Sequence, residues 1–516
     1  MSTLRDQDDI EADIGRRASS LGRRAMAVAK KAAATTTITT CSLCLALLPS
    51  WARAQLKPQT SRPPVKNFER AHHASSAYMD GLRGLVAVLV FVRHFTLPWQ
   101  DHIDYGYGCQ DKYYGVLRLP FLRLLYAGPL VPVFFILSGY VLSAKTIRHL
   151  HTMSISSPSG PTPTCSHDAV ATLFISLSGS AFRRALRLFP PPIISTFLVM
   201  LLTHFGLFSF DYAVMPGRQP EHAEALSTFT AQLSHWASFV GDELINPWRW
   251  DVPRLVYGPH LWTIPISFKG SAVTFLTCLV IARVARPGVR LALLCAAIAY
   301  ALSRGRWDMA LFLAGILVCE LDARRIPPRD TDHHHDHHPS ETNEEKKPPT
   351  KHLLSTLVLL LTLLTALYLA SFPRSNNGGQ DCVPGYVTFC RITPNYRYWH
   401  ALAAFLIVLS VSRSASLQRP LVSPLAKYLG RISFSMYLVH EPLLHIFGFY
   451  TVPFFWALTG MESGWSYQVG FGMGMMMTAF VLVWVADLFR AWVEVPCGKG
   501  AMWLEGVSRL LCRYNL

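Results

Sequence analysis

An apolar stretch that carries three basic side chains, Tyr78–Phe95, sets the main constraint on how this chain can fold. Asp80 is a favourable helix N-cap, and the residues after it suit a membrane-inserted helix except for Arg83, Arg93 and His94. Roughly three helical turns separate Arg83 from His94, so the two side chains share one face, about 16 Å apart along the axis. Ionisable groups inside a membrane are costly, and this pair therefore indicates a function. The alternative is structural: Arg83 snorkels to the helix end, and His94 hydrogen-bonds a neighbouring helix.

The rest of the chain is also too apolar for an ordinary soluble protein. Hydrophobic residues make up 51% of its 516 residues, and apolar segments alternate with basic or polar loops. This pattern predicts an all-α fold, a polytopic transmembrane helix bundle with about ten spans in the lipid bilayer. We place both termini in the cytosol, because that orientation leaves most Lys and Arg of the loops on the cytosolic side.

The net charge of +16 does not indicate a nucleic-acid partner. Lys and Arg lie mainly in loops between apolar segments, and neither zinc-finger spacing nor a basic region followed by heptads is present. The eleven cysteines are mostly scattered through apolar segments, where they are best interpreted as small buried hydrophobes. The histidine run at 333–338 lies in a segment with the composition of a disordered linker, so no metal site is predicted.

Composition predicts three regions. These are a polar, partly disordered N-terminal region at 1–77 with a weakly apolar segment at 32–51, a transmembrane domain at 78–490 with a disordered His-rich loop at 322–352, and a basic cytosolic tail at 491–516. In the chosen orientation the loop that contains Cys382 and Cys390 faces the lumen or the outside, where the two cysteines could form a disulfide.

Four motifs follow one another along the chain. They are D-G-L-R-G with His94, F-F-I-L-S-G-Y at 134–140, H-L-W-T-I-P at 260–265 and S-F-S-M-Y-L-V-H at 433–440. In this order they resemble the acyltransferase-3 family, whose members are polytopic membrane enzymes that move an acyl group, usually acetyl, onto a hydroxyl. The resemblance covers roughly 78–490, and the H-L-W-T-I-P motif is most similar to fungal members.

The resemblance implies catalytic roles for His94 and Arg83. His94 would be the general base on an acceptor hydroxyl, since imidazole titrates near working pH. Arg83 would help to hold the phosphates of an acyl-CoA, together with the basic group Arg183, Arg184 and Arg187. These three arginines lie on one helical face, and Arg184 and Arg187 fit the family's R-x-x-R-x-x-P-type motif. The alternative for this basic group is a positive-inside anchor.

Six further residues are predicted to support the site: Arg93, Ser138, Trp262, Ser267, Tyr437 and His440. Arg93 is a candidate donor to the oxyanion, and Ser138 lies where small residues let membrane helices approach closely. Ser267 stands where the family usually has Glu; a Ser hydroxyl can hydrogen-bond but supplies no negative charge. Tyr437 and His440 share one helical face, and His440 is either catalytic or a packed, hydrogen-bonding histidine.

These features predict an integral membrane O-acyltransferase in the endoplasmic reticulum or another endomembrane. It would transfer acyl, most simply acetyl, from acyl-CoA to a small hydroxylated acceptor such as a natural product, with no other cofactor. Direct transfer is favoured over an acyl-His intermediate. One alternative is acetylation of a carbohydrate or cell-wall glycan. Another is a transporter or an inactive membrane scaffold, although the internal repeats expected of a transporter are not evident.

Overall fold

The computed structural model describes residues 48–49, 52, 67–100, 103–109, 115–155, 167–248, 255–325, 349–373 and 383–514. Contacts divide the chain after Pro64, and every helix below belongs to the unit Val65–Leu516. Almost all of the predicted segment 32–51, most of the His-rich loop 322–352 and Cys382 lie outside the described residues. Cys390 is disulfide-bonded, and its pairing with Cys382 stays a prediction.

The described residues form helices and no strand. In chain order the α-helices are α1 (Asn67–Trp99), α2 (Leu130–Ile155), α3 (His167–Leu188), α4 (Pro190–His204), α5 (Phe229–Phe239), α6 (Thr263–Ile281), α7 (Pro287–Ser303), α8 (Trp307–Ala323), α9 (Pro349–Ala370), α10 (Val387–Ile392), α11 (Tyr396–Arg413), α12 (Ala415–Leu421), α13 (Pro424–Leu443), α14 (Phe449–Thr459), α15 (Gly464–Phe489) and α16 (Val495–Tyr514). Short 3₁₀ turns at Tyr212–Val214 and Pro259–Trp262 and π-helical turns at Leu444–Gly448 and Arg490–Glu494 complete the elements used below.

Six helical stretches of the described chain are long and apolar enough to cross a membrane. They are Ala77–Trp99, Leu130–Thr152, Leu173–His204, Pro259–Ile281, Pro424–Thr459 and Gly464–Leu511. A seventh is obtained if α11 and α12, which are bent by 96°, count as one span. The all-α prediction is confirmed and the helices fit a multi-pass membrane protein, but about ten spans is not confirmed. Two of the predicted spans correspond to shorter apolar stretches, the helix α7 (Pro287–Ser303) and the part Thr356–Ala370 of α9.

Helices α1 and α13 touch backbone to backbone through glycines. A Cβ atom on Gly84 would overlap the backbone at Gly430, and a Cβ on Gly430 would overlap the carbonyl of Asp80. Small residues of this kind let membrane helices pack closely, which explains a glycine of the D-G-L-R-G motif. His94 and His440 lie equally far along the two helices from this contact. The crossing therefore brings the two histidines together.

A second close contact joins α2 and α8. A Cβ on Gly139 would overlap the backbone of Phe312, and one on Gly315 would overlap the carbonyl of Ile136. The motif that contains Ser138 predicts a close approach of another helix. The structure has this approach at the neighbouring Gly139.

The last helix, α16, packs its polar side against α3. Glu505 forms an ion pair with Arg183 and accepts a second hydrogen bond, of 2.6 Å, from Arg509. The opposite side exposes apolar side chains such as Trp503 and Leu511. An outward apolar face of this kind suits contact with lipid, so the helix resembles an interfacial segment more than a free tail.

We expect Gly430→Leu to unfold more readily than the wild type, by about 1–3 kcal/mol or more, because the backbone at Asp80 leaves no room for a side chain. Thermal unfolding of the purified protein in detergent measures this. Gly472→Leu in α15 is the matched control, since a Cβ there meets no atom within 4 Å. Equal losses of stability in the two variants would contradict the backbone contact.

Candidate active site

Three histidines from three helical segments meet where α1 and α13 continue side by side beyond their glycine contact. His94 comes from α1, His440 from α13, and His260 from the 3₁₀ turn before α6. The ring centroids of His440 lie 5.0 Å from His94 and 4.6 Å from His260, and His94 and His260 are 6.5 Å apart. His260 and His440 are buried, whereas His94 is only partly buried. The structure thus joins two predicted site residues and adds a third.

A carboxylate, Glu441, completes the histidine cluster. Its Oε2 accepts a hydrogen bond from Nδ1 of His260 and lies 3.3 Å from the backbone nitrogen of the same residue, which also donates to it. Glu441 and His260 are 7% and 4% exposed, so this hydrogen-bonded pair is removed from water. Losing one partner of such a pair would leave an uncompensated buried group, which makes both residues parts of one unit.

Tyr437 fixes the segment that carries His260. Its hydroxyl donates to the backbone carbonyl of His260 and accepts from Thr263 Oγ1 at 2.7 Å. Tyr437 lies one turn before His440 on α13, and its own carbonyl is 2.7 Å from His440 Nδ1. The predicted supporting role of Tyr437 therefore takes a specific form here: it ties α13 to the start of α6.

A loop residue covers the cluster on the side of Glu441. The Tyr212 hydroxyl lies 2.5 Å from Nδ1 of His445, one turn beyond Glu441. Burial raises the pKa of Tyr212, so the phenol stays protonated and donates to the imidazole. A cavity of about 10 Å³ lies beside Glu441 and His445 and is also lined by His222 and Tyr257. Such a volume has room for one small polar group.

The other end of the same face of α1 is basic. Arg83 contacts Asp80 at 3.1 Å and donates to the carbonyl of Leu137 at 3.4 Å. Arg184 donates through Nε to Ser271 Oγ at 2.8 Å, and the charges of both Arg83 and Arg187 act on its guanidinium. Three cations at this end therefore lie near one another.

Two predicted residues are held by other ion pairs. Arg183 is paired with Glu505 of α16, so it differs from Arg184 on the same helix. Arg93 contacts Asp104 at 2.8 Å. Their predicted parts in acyl-CoA binding and in oxyanion stabilisation would have to compete with these carboxylates.

The remaining predicted residues have packing or backbone contacts. The Trp262 ring lies 6.5 Å from that of Trp307. Ser267 accepts a hydrogen bond of 2.6 Å from Ser271 through its carbonyl, on the side of Arg184. Ser138 is half-buried beside the glycine contact of α2 and α8.

Sequence reasoning missed His260 and Glu441. The first residue of H-L-W-T-I-P is His260, and Glu441 directly follows the last motif, so both were visible as motif neighbours but had no assigned partner. Their contact spans a long stretch of sequence and forms only because α13 lies against the 3₁₀ turn that precedes α6. Over the described ranges, the His, Cys, Asp and Glu side chains form no group of three or more arranged to hold a metal ion.

We expect Tyr437→Phe to be destabilised by about 1–3 kcal/mol, because it leaves the buried His260 carbonyl and Thr263 hydroxyl without their partner. Tyr428→Phe on the same helix is the control, since the buried Tyr428 hydroxyl has no hydrogen-bond partner among the described residues. Thermal unfolding of both variants measures the difference. A Tyr428→Phe variant that loses as much stability would refute the assigned role of Tyr437.

Comparison with known proteins identifies the family of this chain. An acyltransferase domain model matches residues 76–486. The chain is 28% identical over 464 residues to the O-acetyltransferase PaAT-1 of Phomopsis amygdali, covering 84% of this chain and 85% of that protein. It is 26% identical over 464 residues to the acyltransferase clz18 of Cochliobolus lunatus, covering 82% and 94%, and 27% identical over 470 residues to an acyltransferase of Phoma sp., covering 83% and 95%. No solved structure matches. Because the family model covers most of the chain, with the clustered histidines inside it, the protein belongs to the acyltransferase-3 family.

Proposed function

We propose that the protein is a membrane O-acyltransferase that moves an acetyl or similar acyl group from acyl-CoA to the hydroxyl of a small natural product. One observation carries this proposal: α1 joins a basic group at Arg83 to a histidine cluster at His94, about 16 Å apart on one helix face. Acyl-CoA is a long donor with phosphates at one end and a thioester at the other. Such a donor fits a site with arginines at one end and histidines at the other.

The basic end supplies anion recognition. Guanidinium groups bind phosphate through two parallel hydrogen bonds, and Arg83, Arg184 and Arg187 provide three such groups. Like charges this close repel one another, and a bound polyphosphate would offset that repulsion. Asp80 is 56% exposed and therefore balances the group only weakly.

The histidine end supplies proton transfer. His94 accepts the proton of the acceptor hydroxyl as the oxygen attacks the thioester carbonyl, and a C–O bond forms. The C–S bond then breaks, and the leaving thiolate of CoA takes the proton from the His94 imidazolium. Imidazole suits both steps, as a base when neutral and as an acid once protonated, because its ordinary pKa lies near working pH.

The acceptor class and the location rest on similarity. A relative named O-acetyltransferase supports acetyl as the group, and three fungal relatives support a fungal biosynthetic role. A small, mostly apolar alcohol would reach the cluster from the bilayer. We place the enzyme in the endoplasmic reticulum or another endomembrane with both termini cytosolic, so that cytosolic acyl-CoA meets the basic end.

His94→Ala should lower transfer by roughly 10²–10⁴-fold, since it removes the general base. The assay follows label from radioactive acetyl-CoA into ester, with purified protein and a panel of alcohol acceptors. His204→Phe is the control, because the His204 ring packs on Phe205 and Phe229 and a phenyl ring keeps those contacts. Full activity of His94→Ala, or a wild type that transfers nothing from any acyl-CoA, would refute the proposal.

Arg184→Gln should weaken acetyl-CoA binding by roughly tenfold or more, because a charge-assisted hydrogen bond contributes about 1.5–3 kcal/mol. Arg183→Gln should weaken it less, since Arg183 is already paired with Glu505. Equilibrium dialysis with labelled acetyl-CoA compares the two. The opposite order would place the donor phosphates beside α16 instead.

A further inference from the structure

Each histidine of the cluster has a different partner, and the partner limits which proton its ring can carry. Nδ1 of His440 lies 2.7 Å from the carbonyl of Tyr437, which can only accept. Nδ1 therefore carries the hydrogen, and in the neutral ring Nε2 presents a lone pair. His440 in this form is an acceptor toward the interior of the cluster and cannot stabilise a negative charge there.

His260 has the opposite environment. Its Nδ1 bonds to the carboxylate of Glu441 and not to a neutral carbonyl. A buried carboxylate needs a compensating positive charge, and the imidazolium form of His260 would supply one, with a hydrogen on Nε2 as well as on Nδ1. Nε2 of His260 is buried and has no hydrogen-bond partner in the described part of the chain, and the same holds for Nε2 of His440. Buried polar atoms without partners are rare in folded proteins and call for an explanation.

The proposed reaction also needs a hydrogen-bond donor for the carbonyl oxygen that becomes negative. We propose that His260, held as an imidazolium by Glu441, donates from Nε2 to the thioester carbonyl oxygen as that oxygen becomes negative. Glu441 is then a positioning residue, because it acts through His260. The inference rests on the acyltransferase function proposed above, and it replaces Arg93, whose guanidinium contacts Asp104.

The reaction balances with this donor. The acceptor oxygen bonds to the thioester carbon and its proton goes to His94, while the carbonyl oxygen gains the negative charge beside His260 Nε2–H. The carbonyl re-forms as the C–S bond breaks, and the sulfur takes the proton back from His94. His260 keeps its proton throughout, because its role is to donate a hydrogen bond where charge develops.

The test is Glu441→Gln, which keeps the shape of the side chain and removes its charge. We expect kcat for acetyl transfer to fall by about 10²–10³-fold, as for loss of an oxyanion donor, with the KM for acceptor and the affinity for acetyl-CoA nearly unchanged. Glu441→Asp should recover part of the lost kcat. His445→Gln is the matched control: His445 is 2% exposed, lies one turn further along and bonds to Tyr212, and its variant should keep kcat near the wild-type value.

A second variant covers the case in which Glu441→Gln does not fold. His260→Asn can still donate to Glu441 from the position of Nδ1 but has no group at Nε2, so it should show the same loss of kcat. An unchanged kcat in a folded variant, or an effect confined to KM or donor affinity, would overturn the inference. The proposed function would still stand in that case, provided that the wild type transfers label. A wild type that binds acetyl-CoA but transfers no label would remove the proposed function, and the inference with it.

Discussion

The glycine contact between α1 and α13 is the constraint on which the rest of the structure depends. Membrane helices gain little from the hydrophobic effect when they associate, so close backbone packing must hold them together. Gly84 and Gly430 allow that packing, and the parallel course of the two helices then sets His94 beside His440. A side chain at either glycine would separate the helices and move the two imidazoles apart. Gly84 and Gly430 therefore position the site although neither contacts the histidines.

The placement of charge follows from the same geometry. One face of α1 carries a cation at one end and an imidazole at the other. Neighbouring segments add a further cation at the first end, and two imidazoles and a carboxylate at the second. Arg184 joins Arg83, while His260, His440 and Glu441 join His94. Electrostatic interactions are stronger in a water-poor interior than at a surface. Separating the proposed anion recognition from the proposed proton transfer lets each set of groups keep the surroundings that its task requires.

The sequence predicts local features well and long-range partners poorly. The helix at Tyr78–Phe95 and the shared face of Arg83 and His94 follow from composition and helical geometry, and the structure has both. The start of α2 does not: the apolar sequence reaches back to Phe121, but the helix begins at Leu130, because Gly128 has a φ of 117° and Pro129 follows. Helix periodicity cannot show these local breaks in an otherwise apolar stretch.

The site shows the same division. Tyr437 and His440 could be proposed because they share a motif, whereas the bond between His260 and Glu441 joins two motifs. Arg183 and Arg184 have the same residue type and adjacent positions, yet one faces Glu505 and the other Ser271. Spacing along a helix gives the direction of a side chain but not what a distant helix places in front of it.

The departure at Ser267 has a physical consequence for the charge of its surroundings. Position 267 lies one turn from Ser271, which binds Arg184, so a Glu there would be within reach of that guanidinium. With Ser at this position, the Arg184 guanidinium keeps its full positive charge toward the proposed donor site. Glu441 meanwhile supplies a negative charge directly at the histidines. In this chain the carboxylate therefore lies at the end where proton transfer is proposed, and the end where the anion is proposed to bind keeps its positive charge.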